Sequence, residues 1–313
     1  MSLPAGRHGV PIRHGWPTFF GARPADDPAH VRADVAFLGV PFDQGTNDRP
    51  GARFGPLALR EASMRFQSAD GEGWLDTERG ERLLRGVSLA DVGDVDIRTV
   101  ELQENLRRIT EAAAFLRSRC RLPVFVGGDH AVTFPLVRAF EDRSLTVIQF
   151  DAHQDYTDER FGQRFSHDNQ MRRVSELPFV KQIIQIGLRG ALGNTEPWEA
   201  AGRDGVHIVT SQRIINEGVE RALADVWPNG DTYVSIDIDV MDPTVAAGTG
   251  FPEPGGIGYY QLKEALLLVA QRASIVAFDL CEVNPSYDSA AVTARIAARL
   301  MLDLLGAIIP SGE

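Results

Sequence analysis

Acidic and histidine side chains stand directly after an apolar run of the sequence. Residues 145–150 are followed at once by Asp151, His153 and Asp155. In an extended segment, residues two apart point the same way, so these three side chains converge if the chain stays extended there. Imidazole and carboxylate groups are ligands of divalent metal ions. The structural alternative is that Asp151 caps a turn and His153 is an ordinary hydrogen-bonded residue.

A second apolar run, residues 233–236, leads into Asp237, Asp239 and Asp242. Asp237 and Asp239 share a face at the predicted strand end, where two adjacent carboxylates repel each other unless a cation lies between them. Asp242 stands just before Pro243 and is more typical of a turn than of a metal ligand. This run therefore predicts two further ligands and one turn residue.

A third run, residues 123–126, ends in Gly127, Gly128, Asp129 and His130. The glycines let the backbone turn tightly and bring His130 to the edge of the sheet. The role of Asp129 is ambiguous, and we favour a role in supporting a neighbouring metal ligand.

The three strand ends together offer two imidazoles, four carboxylates and no thiolate. The residues are His130, Asp151, His153, Asp155, Asp237 and Asp239. This set suits Mn²⁺ or a similar hard-to-borderline ion better than a structural zinc site. Six side chains exceed what one ion usually takes, whereas two ions about 3.5–4 Å apart that share carboxylates fit the number. Such a pair generates hydroxide at neutral pH, so hydrolysis is the expected reaction.

A fourth run, residues 275–278, passes through Asp279 to Glu282. A period of two from Asp279 skips Glu282, so the strand alone does not decide which carboxylate faces the metal site. Asp279 is equally consistent with a helix cap or a buried hydrogen-bond acceptor. For Glu282, which precedes Pro285, the sequence alone favours an exposed loop carboxylate.

Short apolar runs alternate with stretches of helical spacing, which predicts a three-layer α/β/α fold with a mainly parallel central sheet. The predicted strands are residues 35–40, 124–126, 145–150, 183–186, 206–209, 233–238 and 275–278. Apolar stripes predict amphipathic helices within residues 101–119, around 262–269 and around 292–300. Open sheets of this kind bind ligands beyond the carboxyl ends of their strands, where the acidic clusters stand.

The length suits two domains or one large α/β domain. Because no repeat, low-complexity tract or long polar linker divides the chain, we expect one domain over residues 1–313, with a partly irregular N-terminal arm over residues 1–32. The net charge of −11 argues against a nucleic-acid partner. The apolar stretches are too short for a membrane span. The two cysteines, Cys120 and Cys281, make no disulfide framework, so we expect a reducing, cytoplasmic location.

The motifs, taken in order, resemble the ureohydrolase family of arginases, agmatinases and their guanidino-acid relatives. They are residues 127–130, 151–155, 235–243 and 282–285, and residues 39–43 and 49–56 also resemble the N-terminal region of agmatinases. The resemblance spans most of the chain and implies an arginase-like fold. It also implies a homo-oligomer, commonly a trimer or hexamer.

The resemblance implies a role for each site residue. One manganese ion would be held by His130, Asp151, Asp155 and Asp237, and the other by His153, Asp151, Asp237 and Asp239, with Asp151 and Asp237 bridging. Glu282 matches the family carboxylate that grips the substrate guanidinium. His167 matches the family histidine near the substrate, a proton shuttle, although the sequence alone favours a solvated loop histidine.

The sequence departs from the family after His167. Agmatinases and guanidinobutyrases often have Gly or Ala there, whereas this chain has Asp168, Asn169 and Gln170. This segment is expected to face the tail of the substrate. The difference therefore leaves the substrate open, although not the reaction.

Two kinds of substrate tail are consistent with the sequence. Asp158 and Asp168 could attract an ammonium group such as that of agmatine, or they are ordinary loop acids. Arg172 or Arg173 near the tail would instead favour a guanidino acid. Arginine is disfavoured, because nothing here resembles the longer Asn- and Gly-containing stretch of arginases before the histidine. Whether residues 158–165 close over the substrate stays open.

The sequence thus predicts a dimanganese amidinohydrolase that cleaves a guanidino compound to urea and an amine. Agmatine, which would give putrescine, is the leading substrate, and 4-guanidinobutyrate or 3-guanidinopropionate is the alternative. A non-catalytic metal-binding relative that regulates a partner is disfavoured, because no ligand is lost. A deacetylase on a similar fold would use one ion, and the second carboxylate pair argues against it.

Overall fold

The computed structural model describes residues 16–25, 27–66 and 72–311. Its central feature is a nine-stranded sheet in which every neighbouring pair is parallel, in the order β1-β5-β2-β6-β11-β10-β7-β8-β9; β3 and β4 form a separate antiparallel pair. The strands are β1 (Arg23–Pro24), β2 (Ala33–Gly39), β3 (Trp74–Asp76), β4 (Glu81–Leu83), β5 (Leu89–Asp94), β6 (Cys120–Val126), β7 (Leu145–Phe150), β8 (Val180–Leu188), β9 (His207–Thr210), β10 (Asp231–Asp237) and β11 (Ser274–Cys281).

Helices cover both faces of this sheet. They are α1 (Gly55–Ser63), α2 (Leu102–Arg117), α3 (Thr133–Arg138), α4 (Gln170–Ser175), α5 (Glu196–Arg203), α6 (Ser211–Glu217), α7 (Val219–Ala222), α8 (Tyr259–Arg272) and α9 (Val292–Ile308). Successive residues of a strand point to opposite faces. Accordingly, Val35 and Phe37 of β2 belong to one apolar core, and Ala36 and Leu38 belong to the other. The predicted three-layer fold is therefore confirmed.

The predicted elements are present, with shifted ends. Strand β7 has the predicted bounds, whereas β10 ends at Asp237 instead of Ile238, and α2, α8 and α9 carry the three predicted stripes. Strand β5 was not predicted, because its apolar residues are interrupted by Asp91 and Gly93. The described part of the N-terminal arm has only short elements, such as β1, and residues 1–15 lie outside the described residues.

Four adjacent central strands, β6, β11, β10 and β7, end at the same edge of the sheet because they are parallel. The chain passes from β6 to β7, three positions away, and β10 and β11 later fill the gap. All four acidic or histidine-bearing segments of the sequence follow these strands. Within the described residues, no helix combines the length and apolar character needed to cross a membrane.

Candidate metal centre and active site

The loop after β6 places His130 at the sheet edge. A Cβ atom on Gly128 would lie 1.7 Å from the carbonyl oxygen of Phe42, so only glycine fits this close approach. Asp129 accepts hydrogen bonds from the backbone N–H of Gly45 at 2.7 Å and of Ala131 at 3.0 Å. Asp129 thus fixes the turn that carries His130, whereas its carboxylate makes no hydrogen bond to the imidazole in the described structure.

The imidazole of His130 meets three carboxylates. Its Nδ1 atom lies 2.9 Å from Asp151 Oδ2, 3.0 Å from Asp155 Oδ2 and 3.1 Å from Asp237 Oδ2. Nδ1 is nevertheless buried without a hydrogen bond of acceptable geometry among the described residues. Nδ1 is therefore surrounded by carboxylate oxygens to which it donates no hydrogen bond.

The other ring nitrogen explains this arrangement. His130 Nε2 lies 2.9 Å from Ser235 Oγ, and Ser235 donates its own proton to Asp279 Oδ1 over 2.9 Å. The other oxygen of Asp279 accepts from Thr133 and Tyr233. Because Ser235 uses its proton on Asp279, it accepts from Nε2–H, which leaves a lone pair on Nδ1. A lone pair that faces three carboxylate oxygens is repelled unless a cation lies between them, so the donor set fits a metal ion.

A second group of ligand atoms adjoins the first. His153 Nδ1 lies 3.0 Å from Asp239 Oδ2 and 3.6 Å from Asp151 Oδ1. Asp151 therefore contributes one oxygen to each group. Asp237 directs Oδ2 to His130 and accepts the backbone N–H of Asp239 on Oδ1 over 2.8 Å. The two groups share the carboxylate of Asp151, as suits a pair of neighbouring ions.

Two of the predicted local geometries were wrong, although the side chains converge. Asp155 has a positive φ of 50°, so the chain does not stay extended through it. Gln170 donates to its carboxylate over 3.1 Å. Asp239 does not continue a strand beyond Asp237, because Ile238–Val240 form a 3-10 turn that Asp237 caps. Asp239 therefore reaches the site from this turn. Asp242 forms a turn, as predicted, and accepts from Thr244 N–H over 3.0 Å.

The carboxylates are almost completely removed from water. Burial, followed by the negative charge of neighbouring carboxylates, raises the pKa of Asp155 and places that of Asp237 well above its usual range. Burial would lower the pKa of His153, but the charges of Asp239 and Asp151 outweigh it and raise that pKa. Cations at this position relieve the repulsion.

Cys281 also lies within reach of His130 and Asp237. Burial places the pKa of its thiol well above the usual range, and its Sγ–H points to the carbonyl oxygen of Ile236 at 3.7 Å. A protonated thiol is a poor metal ligand, because the thiolate is the form that binds. The donor set of the site therefore consists of nitrogen and oxygen.

Glu282 follows the last residue of β11 and has a φ of 62°. This conformation turns its carboxylate into the site, and Oε1 accepts the backbone N–H of His130 over 2.9 Å. The side chain is only 4% exposed, so the expectation of an exposed loop carboxylate was wrong. A strand pattern could not reveal this direction, because it depends on one left-handed residue after the strand.

His167 is buried as well, and the solvated alternative was wrong. Its backbone N–H donates to Gly45 O, its Nδ1 lies 3.6 Å from Glu282 Oε1, and its ring packs 4.8 Å from that of Phe251. Burial alone would lower the pKa of His167, but the hydrogen bond and charge of Glu282 outweigh it and raise the pKa to about 9. The ring is therefore mainly protonated near neutral pH. Its Nε2 is buried without a hydrogen-bond partner in the described structure.

A cavity of about 590 Å³ opens above this cluster. His153, His167 and Glu282 line its floor, and Phe251 and Trp198 are among its apolar lining residues. An apolar pocket with a few convergent polar groups is typical of a small-molecule site.

The segment after His167 only partly faces this cavity. Asp168 lines it, whereas Asn169 and Gln170 are buried. Asn169 donates to Thr157 O over 2.7 Å, and Gln170 reaches Asp155. The expectation that all three residues face the cavity was therefore wrong for Asn169, which binds the backbone of Thr157, and for Gln170, which binds the carboxylate of Asp155.

The charged residues considered for the tail also lie elsewhere. Asp158 pairs with Arg164 at 2.9 Å and with Arg173, and it does not line the cavity. Arg173 also pairs with Glu176 at 2.9 Å. Arg172 stacks 5.3 Å from the ring centre of Tyr156. Helix α4 thus directs both arginines away from the cavity.

The sequence analysis missed several residues that hold the site residues in place. Gln149, inside β7, donates to Asp151 Oδ2 over 2.6 Å. Arg189 donates to the carbonyl oxygens of Asp239, Val240 and Met241 at 2.6–3.1 Å and so holds the 3-10 turn in place. A buried Gln in an apolar strand is the one cue that could have been noticed, because buried polar groups need partners.

Comparisons with known proteins, by sequence and by structure, agree on the group of proteins that this chain is similar to. A sequence model of the arginase family matches residues 33–306. Guanidinopropionase from Pseudomonas aeruginosa is 34% identical over 303 residues, which are 95% of this chain and 92% of that protein. Agmatinase from Pyrococcus horikoshii is 35% identical over 278 residues, 88% of this chain and 92% of that one. The solved structure of proclavaminate amidino hydrolase from Streptomyces clavuligerus matches with a TM-score of 0.84 and 30% identity, covering 94% of this chain and 97% of that chain.

Proposed function

The chain belongs to the arginase family, and from that premise we propose that it hydrolyses a guanidino compound to urea and an amine at a site for two manganese ions. One observation carries the proposal. His130 Nδ1 lies 2.9–3.1 Å from three buried carboxylate oxygens and has no hydrogen-bond partner among the described residues, and a second group of ligand atoms shares Asp151 with the first. Buried groups of like charge at these distances are arranged for cations.

The proposed ligand sets follow the two groups. His130, Asp151, Asp155 and Asp237 would hold one ion, and His153, Asp151, Asp237 and Asp239 would hold the other. Carboxylate and imidazole ligands without thiolate favour Mn²⁺. Bound as a pair, such ions lower the pKa of water and stabilise an attacking oxygen.

Glu282 is proposed to bind the guanidinium group of the substrate. Its carboxylate is buried, it is fixed by the N–H of His130, and it faces the floor of the cavity. A carboxylate pairs with a guanidinium through two parallel hydrogen bonds, which orients the plane of the substrate. Held in this way, the central carbon presents its face to the ligand cluster, and positioning of this kind contributes to the rate.

His167 is proposed to supply the proton that the leaving amine needs. Its pKa of about 9 keeps the ring protonated near neutral pH, and Nε2 has no other partner in the described structure. When the substrate guanidinium takes the carboxylate of Glu282, the imidazolium loses its main stabilising charge. Its pKa then falls, which favours release of the proton.

The tail of the substrate distinguishes the two candidates within this reaction. Guanidinopropionase and agmatinase are both among the relatives of this chain. Agmatine carries an ammonium tail, whereas 3-guanidinopropionate and 4-guanidinobutyrate carry a carboxylate. Agmatine was the leading expectation from the sequence, on the strength of Asp158 and Asp168. Since Asp158 does not line the cavity, that preference has lost half of its support.

The test is urea release by Mn²⁺-loaded protein and by a chelator-stripped control. The substrates are agmatine, 3-guanidinopropionate, 4-guanidinobutyrate, arginine and butylguanidine. Asp239→Asn should lose Mn²⁺ and activity, whereas Asp242→Asn, a matched change at a turn carboxylate, should retain both. Absence of urea from every substrate, with two manganese ions measured per chain, would overturn the proposed function.

We also propose that the protein is a cytoplasmic homo-oligomer, trimeric or hexameric. Val100 and Phe161 support self-association, because they are 88% and 86% exposed around a cavity beside the active site. The two cysteines are unpaired, as a reducing compartment requires. Light scattering coupled to size-exclusion chromatography would measure the mass, and a monomer would refute the oligomer.

A further inference from the structure

Four charged side chains line the active-site cavity in addition to those of the ligand cluster, His167 and Glu282. They are Arg160, Asp168, Arg189 and Glu253. From the contacts that these side chains make, we propose that Arg160 binds a carboxylate at the tail of the substrate, so that the substrate is a guanidino acid. This inference rests on the proposed function and identifies its substrate class.

Two of the four side chains are already engaged. The guanidinium of Arg189 donates hydrogen bonds to backbone carbonyl oxygens, among them those of Asp239 at 2.6 Å and Glu253 at 2.8 Å. Asp168 uses one carboxylate oxygen for the hydroxyl of Ser166, and the other lies 3.3 Å from Arg160 Nε. Neither residue is therefore available to pair with a substrate tail.

Arg160 pairs with a carboxylate on one side only, and its guanidinium carbon lies 5.4 Å from the centre of the Phe161 ring. Asp168 meets its Nε atom, whereas no hydrogen bond or ion pair of its two terminal nitrogens is present in the described structure. Asp168 thus orients the guanidinium and leaves its outer edge open. Two parallel N–H groups at such an edge match the two oxygens of a carboxylate.

The backbone that carries Arg160 is fixed. Arg160 and Gln163 exchange hydrogen bonds of 2.7 and 2.8 Å, and the two residues between them, Phe161 and Gly162, have φ values of 51° and 78°. Two central residues with positive φ form a tight hairpin turn. The turn therefore fixes the backbone of Arg160, and the contact with Asp168 directs its half-exposed side chain.

The position of Arg160 along the cavity suits a tail group. His167 lies 3.6 Å from Glu282, where the guanidinium would be bound, and Asp168 is the next residue in the chain. Asp168 in turn lies 3.3 Å from Arg160, and all four residues line one cavity, so a substrate that follows them from Glu282 reaches Arg160. Arg160 also lines the adjoining cavity of about 1080 Å³, which places it at the junction of the two.

Glu253 supports the competing possibility of an ammonium tail. It lines the cavity next to Arg189 and makes no hydrogen bond or ion pair through its side chain in the described structure. However, it also lines a separate recess with Arg49 and His153, away from Asp168 and Arg160. The nearby positive charge of Arg189 partly cancels the negative charge of Glu253, so an ammonium group would be attracted less strongly by Glu253.

The experiment compares substrates that differ only in their tails. Mn²⁺-loaded wild type, Arg160→Met and Arg164→Met are assayed with 3-guanidinopropionate, 4-guanidinobutyrate, agmatine and the neutral butylguanidine. Arg164→Met is the matched control, because Arg164 belongs to the same loop but pairs with Asp158 and Glu176 outside the cavity. Calorimetric titration with the same compounds measures binding independently of turnover.

We expect the wild type to prefer the acids. Arg160→Met should lower kcat/KM for the preferred acid about 10- to 100-fold more than for butylguanidine, mainly through KM, because a hydrogen-bonded charge pair is lost. Arg164→Met should change neither ratio. A wild-type preference for agmatine that Glu253→Gln abolishes, or an equal loss on all substrates in Arg160→Met, would overturn the role of Arg160.

The binding data separate this inference from the proposed function. Arg160-dependent binding of an acid without any urea would overturn the reaction and support the role of Arg160. Urea formation from all tails alike, with binding that does not depend on Arg160, would support the reaction and overturn the inference.

Discussion

Ser235 is predicted to control how tightly the ion beside His130 is held. Its hydroxyl lies 2.9 Å from His130 Nε2 and donates to Asp279 over 2.9 Å. Ser235→Ala removes the acceptor that fixes the imidazole tautomer. The ring can then carry its proton on Nδ1, the atom that faces the carboxylates and must offer a lone pair to the metal.

The expected loss has two parts. Removal of a polar partner behind a metal-ligating histidine typically lowers metal affinity about 10- to 100-fold, which corresponds to about 1.4–2.7 kcal/mol. Loss of the buried hydrogen bonds should also lower the free energy of unfolding of the metal-free protein by about 1–3 kcal/mol. The ion beside His153 should be much less affected, because Ser235 contacts the ring of His130.

Calorimetric titration of chelator-stripped protein with Mn²⁺ measures the two binding events. The matched control is Ser63→Ala, which removes another buried hydroxyl, one that accepts from Phe20 N–H and donates to Arg60 O on helix α1. Ser63→Ala should lower stability by a similar amount and leave both Mn²⁺ affinities unchanged. Unchanged affinity in Ser235→Ala, or an equal loss of affinity in Ser63→Ala, would refute the role assigned to Ser235.

Three further outcomes are expected. In Glu282→Gln the pKa of His167, about 9 in the wild type, should fall, because the largest contribution that opposes burial is lost while only the charges of Asp129 and Asp155 remain; ¹⁵N NMR of chelator-treated protein measures it. The raised pKa of His167 stabilises the folded state below pH 6.5, and this contribution is lost as pH rises through about 9. Between pH 6.5 and 9, the free energy of unfolding of the variant should therefore depend less on pH than that of the wild type. Gly128→Ala should fold poorly, because its Cβ would meet Phe42 O at 1.7 Å, whereas Gly202→Ala, with open space around its Cβ, should be tolerated; soluble yield and circular dichroism decide this. Chelation should lower the Tm, since the buried carboxylates then repel one another, and a Tm independent of Mn²⁺ would contradict the metal centre.

The convergence of the six ligand side chains could be predicted from the sequence. A parallel sheet that is buried on both faces leaves its strand ends as the places where polar residues can stand. Asp151 after β7 and Asp237 at the end of β10 are therefore visible as breaks in apolar runs. Their adjacency follows from the strand order, which the sequence did not provide and the structure supplies.

The local backbone at two ligands could not be predicted. Asp155 takes a positive φ because Gln170 and the backbone N–H of Met171 hold it from a distant part of the chain. Asp239 lies in a 3-10 turn that Arg189 holds through backbone carbonyl groups. Period-two reasoning assumes an extended chain, and the side chains that it selected converge here because both turns still direct their carboxylates inward.

The burial of Glu282 and His167 was missed for a related reason. Charged residues in loops are usually exposed, so composition favours solvent. In this fold the backbone N–H of Glu282 donates to Gly128 O, and that of His167 donates to Gly45 O. Contacts between segments so far apart in sequence remove both side chains from water, and no local pattern records them.

For a similar reason, the sequence predicts the reaction more readily than the substrate. The proposed ligand residues follow strands, whose direction is set by the sheet, whereas the rest of the cavity is lined largely by loop residues such as Arg160 and Asp168. Arg160, Arg172 and Arg173 are alike in sequence, yet Asp158 and Tyr156 take Arg173 and Arg172 away from the cavity, and Asp168 orients Arg160 within it. If Arg160 binds the tail as proposed, specificity depends on the partner that each arginine finds. An exchange of these partners, such as Asp168→Ala, should change the preferred tail while the ligand cluster and the hydrolysis of butylguanidine persist.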